Sequence, residues 1–123
     1  MTTDQRPRLS RAFWERLLRF VEWAPDWDAQ GAEHITFATA STAATVAEEA
    51  LTVAPEPIVA PAGDGSLLLE WDLPNEVTVE LYVRDADLEP AAVAQGARVE
   101  EVPVAGVADI LAILRDALAR GRD

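Results

Sequence analysis

Three groups of side chains in this chain have types and spacing that bear on chemistry. The first is Asp26-Trp27-Asp28-Ala29-Gln30-Gly31, which opens like a calcium loop, D-x-D-x-Q-G, with glycine at the sixth place. Its ninth place is His34 and its twelfth is Phe37, where calcium needs a bidentate glutamate, so the run reads as an Asx-type turn. The second is His34 itself, the single histidine, beside Glu33 and near two aspartates. With no cysteine and no second histidine, it lacks the partners of a metal site. Ser10, Ser41 and Ser66 lie in no nucleophile elbow or glycine-rich frame.

The third group is Glu70, Asp72, Glu76 and Glu80, carboxylates gathered along one stretch. A glycosidase-like pair needs two carboxylates facing a cleft. Alternation along the stretch instead sends Glu70 and Glu80 to the face that also carries Leu68, Thr78 and Tyr82. Five residues are thus candidates for binding a partner: Leu68, Glu70, Thr78, Glu80 and Tyr82. No phosphate loop, dinucleotide fingerprint or zinc motif is present, so no cofactor, metal or catalytic residue is expected.

The elements that position this face follow from hydrophobic period. Leu67, Leu69 and Trp71 alternate on one run and Val77, Val79, Leu81 and Val83 on the next, with Asp72-Leu73-Pro74-Asn75 as turn formers between them. Matching the apolar faces predicts Trp71 opposite Val77, Leu69 opposite Val79 and Leu67 opposite Leu81. Strands are expected at about 57–60, 65–72 and 76–84, with Pro61-Ala62-Gly63-Asp64-Gly65 as the first turn. Residues 91–94 fit either a weak strand or one helical turn, and 97–102 reads as an edge strand closed by Pro103.

Three helices flank these strands. Ser10 is placed to cap one running to about Trp23, with Phe13, Leu17, Phe20, Val21 and Ala24 as its stripe, widened by Trp14 and Leu18. Thr36 or Thr39 starts a second, ending near Val53, whose face is Phe37, Ala40, Ala44, Ala47 and Leu51. Val107 to Arg120 is the third, apolar at Val107, Ile110, Leu111, Leu114 and Leu118 and stopped by Gly121. The order predicts an α+β domain over 10–121 behind a flexible 1–9, with an antiparallel sheet of three to five strands and helices on one face.

Two stretches of this framework, Trp27-Asp28-Ala29-Gln30-Gly31-Ala32 and Asp64-Gly65-Ser66-Leu67-Leu68-Leu69-Glu70-Trp71, carry a resemblance. Together they resemble a group of small uncharacterised bacterial and phage-borne proteins with a W-D-G-x-G-A-x-P-like loop before a helix and a D-G-x-(apolar)-E-W strand. Here Ala29 stands where that group has glycine and His34 where it has proline. The resemblance covers roughly residues 23 to 83; it implies the architecture and no catalytic residue.

Composition sets the class of partner. The chain has 123 residues, half of them apolar, and a net charge of −12. That balance points to a basic protein partner and away from direct contact with nucleic acid or an anionic membrane. The charge is uneven: between Trp23 and Ala97 the only base is Arg84, whereas five arginines precede Glu22. No run approaches the ~20 apolar residues of a membrane span, and the N-terminus lacks the apolar core of a secretion signal, so a cytoplasmic location is expected. The functional expectation is a non-enzymatic acidic interaction module (adaptor, antitoxin-like or secretion-chaperone-like) that binds through the outer sheet face or the edge strand and forms a homodimer. The alternatives are a DNA-mimic inhibitor of a nucleic-acid-binding protein and a small hydrolase using Asp26, Asp28 and His34.

Overall fold

The computed structural model describes residues 8–23, 31–74 and 76–120. Helix α1 (Arg11–Glu22) starts at Ser10, whose hydroxyl accepts from the Phe13 amide; Ser10 Oγ in turn donates to Glu56 at 2.9 Å, tying the helix start to the approach of the first strand. Helix α2 (Phe37–Ala50) is capped by Thr36 and ends three residues before the sequence-based boundary, because Leu51–Val53 close it as turns. Then come β1 (Ile58–Pro61), β2 (Leu67–Leu73), β3 (Val77–Arg84), β4 (Asp87–Leu88), β5 (Ala91–Gln95), β6 (Arg98–Val102) and helix α3 (Val107–Arg120). The stretch at 91–95, open between strand and turn on sequence grounds, is a strand. The fold is α+β.

The strands form one antiparallel sheet in the order β1-β2-β3-β5-β6, with β4 pairing β3 beyond the end of β5. β4 and β5 are in effect one interrupted strand. Leu88 lies opposite Val83 and Ala92 opposite Glu80, so four steps on one side face three on the other. The extra residue makes a bulge at Glu89-Pro90, where a proline is tolerated because the ladder is already broken.

The β2–β3 register differs from the sequence-based one by two residues. Leu73 pairs with Val77, Trp71 with Val79, Leu69 with Leu81 and Leu67 with Val83. The reason is Leu73: extending β2 to include it buries one more apolar side chain and shortens the connection to 74–76, where Glu76 has a φ of +61°. That is the left-handed residue of a three-residue hairpin loop. A shift of two preserves faces, so Leu67, Leu69, Trp71, Leu73, Val77, Val79, Leu81 and Val83 are all buried together. A slip of one would expose them, at roughly 1.5–3 kcal/mol for each aliphatic side chain.

All three helices lie on that apolar face. α1 packs on β1 and α2, α2 on β2, β3 and α3, and α3 on β3. Their buried residues, among them Phe13, Leu17, Ala43, Ala47, Ile110 and Leu114, form a single core with the sheet, and the core takes in Leu9. The alanine-rich α2 fits between neighbours because its small side chains let it approach closely. Three expected core residues stay outside: Phe37 is 69% exposed, and Trp14 and Leu18 also face solvent, while α1 buries Phe13, Leu17 and Phe20.

Candidate functional site

The sheet's other face is left open by every described helix. Across it, Leu68 lies opposite Tyr82, Glu70 opposite Glu80, and Asp72 opposite Thr78. The five residues singled out from sequence therefore share one surface. The strand order extends it on both sides. Ile58 lies beside Glu70, Ala92 beside Glu80 and Glu101 beside Ala92, so one row reads Ile58, Glu70, Glu80, Ala92, Glu101. A second row reads Asp72, Thr78, Ala94, Val99. Ile58, half exposed, and Val99, 66% exposed, belong to this surface, and sequence reasoning missed both because adjacency across strands follows from sheet order. The alternation in 97–102 was the available signal for Val99.

The electrostatics of the face are strained. Glu70 and Glu80 are directly opposed like charges, a destabilising cross-strand pair. Partial burial, helped by the charges of Asp72 and Glu80 and by a hydrogen bond shared with Asp72, raises the Glu70 carboxyl above its ordinary value of 4.5. The described ion pairs, Arg11 with Glu15 and Arg120 with Asp116 and Glu100, leave these carboxylates out. A cation brought to the face would relieve the repulsion. The face combines acid with apolar surface: Leu68, Tyr82, Ala92 and Ala94 are interleaved with the carboxylates.

Of the other residues with chemical promise, Asp26, Trp27 and Asp28 lie outside the described residues. His34 is exposed, and its Nδ1 is 2.9 Å from the carbonyl of Trp23, so the ring bridges the end of α1 to the segment before α2. The turn that opens the second of the stretches carrying the resemblance packs on Glu33 and His34, the residues that follow the first. The Glu33 amide donates to the Gly63 carbonyl at 2.8 Å. A Cβ at Gly65 would come within 3.2 Å of the Glu33 carboxylate and 3.4 Å of the His34 carbonyl, and the φ of +87° also demands glycine there. Asp64 completes this turn, accepting from the Ser66 hydroxyl and amide; those bonds hold its carboxyl below 3.8. Asp64, Gly65 and Ser66 thus form a packed corner of the scaffold against Glu33 and His34.

A groove of about 260 Å³ between α1 and α2, lined by Trp14, Leu18, Phe37, Ala40 and Ala44, is a further exposed apolar feature. Among the described residues no helix is long and apolar enough to cross a membrane, and no group of three or more His, Asp and Glu side chains is placed to hold a metal ion. No family model, curated protein or solved structure matches the chain.

Proposed function

We propose that this chain is a non-enzymatic interaction module, of adaptor, antitoxin or secretion-chaperone type, whose outer sheet face receives a basic segment of a protein partner in the cytoplasm. The observation that carries this reading is the open row Ile58, Glu70, Glu80, Ala92, Glu101 on a face that none of the described helices covers. Two opposed carboxylates, one of them with raised proton affinity, favour a cation, and arginine suits them because its planar fork serves two acceptors at once. Leu68 and Tyr82 on the next row offer an apolar anchor for the stem of the arginine or a neighbouring side chain. Interruption of the acids by Leu68, Ala92 and Ala94 favours a mixed apolar and ionic partner over mimicry of a duplex, which asks for carboxylates in an unbroken series.

The test is affinity capture from the native host, read by mass spectrometry, with the wild-type chain and the variant Glu70→Lys/Glu80→Lys as baits at low and high salt. A basic protein held by the wild type through high salt and lost from the variant is the expected result. Capture lost entirely at high salt would favour the mimic. Identical partners on both baits would refute the assignment of this face.

A further inference from the structure

The sheet has two edges, and only one is fit to be extended. β1 ends in Pro61 and is entered through Pro55 and Pro57, residues without the amide that a new strand would need, and α1 packs against it. β6, Arg-Val-Glu-Glu-Val, contains no proline, and its residues 98–101 are all exposed. It joins β5 through Gly96-Ala97, with Gly96 at φ +59° and Gln95 paired with Arg98. A two-residue loop of this kind makes the closing pair the hydrogen-bonded one. Arg98, Glu100 and Val102 therefore direct their main-chain groups to β5, while Val99 and Glu101 direct theirs to the open edge.

We infer that β6 pairs with β6 of a second copy of this chain, antiparallel about a two-fold axis through Val99. Three constraints select this register. Faces must be kept, so the shift between copies can change only in steps of two residues. With the axis at Glu100, the two glutamates would stand directly opposite each other on a chain already at −12. With the axis at Val99, Arg98 of each copy lies opposite Glu100 of the other, giving two complementary pairs. Val99, 66% exposed in the single chain, meets its own copy, and Glu101 meets Ala97. Arg98 has no ion pair among the described residues, and Glu100 has only a long one, 3.9 Å to Arg120, so both are available. Self-pairing joins the two sheets into one continuous sheet and sets the two outer faces side by side. It does not depend on the binding function proposed above.

Sedimentation of the full chain at micromolar concentration tests this. The wild type is expected at twice the chain mass. Arg98→Glu is expected to raise the dimer dissociation constant at least tenfold, because it places glutamate against glutamate twice. The exchanged variant Arg98→Glu/Glu100→Arg is expected to return it to within a few fold of wild type. Amide exchange supplies a second readout, with Val99 and Glu101 protected in the dimer and unprotected on dilution. A monomeric wild type, or an exchanged variant that fails to restore the dimer while keeping the wild-type circular dichroism, would overturn the proposal. So would a dimer indifferent to Arg98→Glu but broken by Trp14→Ala, which would move the interface to the α1–α2 groove.

Discussion

Glu70 links stability to binding at the scale of one residue. Its carboxyl is raised by partial burial and by the charges of Asp72 and Glu80, so the folded chain binds that proton more tightly than the unfolded chain does. The ionised form therefore weakens the fold at neutral pH, and protonation relieves this as pH falls through the raised value. Glu70→Gln is expected to be more stable than wild type at pH 7, with the difference closing as pH falls through the raised value and gone by the ordinary value of 4.5. Urea titrations at several pH values measure it. Asp64 runs the opposite way. Its lowered carboxyl stabilises the fold above 3.8, and this is lost as pH falls through the depressed value, so above about pH 5 the comparison reports on Glu70. The same substitution should weaken capture of a basic partner, which is the signature of a site kept at the expense of the fold. A Gln variant less stable than wild type at pH 7 would show that Glu70 makes a favourable interaction in the folded chain.

Elements are joined here by a small polar clamp that sequence spacing did not reveal. Asp85, in the turn between β3 and β4, has a φ of +52° and is held by the first turn of α2. Thr36 Oγ1 accepts from the Thr39 amide and donates to Asp85 Oδ1 at 2.9 Å. Its one proton being committed, the Thr39 hydroxyl 2.9 Å away donates to it, and Thr39 Oγ1 accepts from the Asp85 amide at 2.7 Å. Every donor in the set is used. Thr39→Val keeps the shape of this fully buried side chain and leaves the Asp85 amide without its acceptor, so a loss of about 1–3 kcal/mol is expected in chemical denaturation. A loss under about 0.5 kcal/mol would mean that water replaces the hydroxyl. On sequence grounds Thr36 and Thr39 compete as helix starts; the structure uses Thr36 as cap and Thr39 as the strand anchor, a division that depends on a turn 46 residues away.

Across the whole molecule, electrostatics is governed by a net charge of −12 on 123 residues. Self-repulsion over such a surface opposes the compact state, and salt screens it: the Debye length falls from about 30 Å at 0.01 M to about 8 Å at 0.15 M. The thermal midpoint is expected to rise across that range, as scanning calorimetry would record. A falling midpoint would mean that attractive pairs, such as Arg11 with Glu15 and Arg120 with Asp116, outweigh the repulsion. Dimerisation through β6 brings two acidic bodies together, so salt should also tighten the dimer, in contrast to any purely ionic partner contact.

The amino-acid order alone determined the faces. Alternation put Leu67, Leu69, Trp71, Val77, Val79, Leu81 and Val83 on one side and Leu68, Glu70, Thr78, Glu80 and Tyr82 on the other, because a strand's side-chain period is a property of the backbone itself. A helix start at Ser10, a second at Thr36 or Thr39, and the α+β class were legible for the same local reasons. Tertiary structure decided what period leaves open. It set the register two residues on, since burying Leu73 outweighs the strain at Glu76. It left Trp14, Leu18 and Phe37 outside the core, since a helix's apolar arc does not say how much of it a neighbour will cover. It also placed β1 and β6 at the edges, because strand order depends on which surfaces meet. That order brings Ile58, Ala92, Glu101 and Val99 onto the acidic face and leaves β6 as the free edge of the sheet.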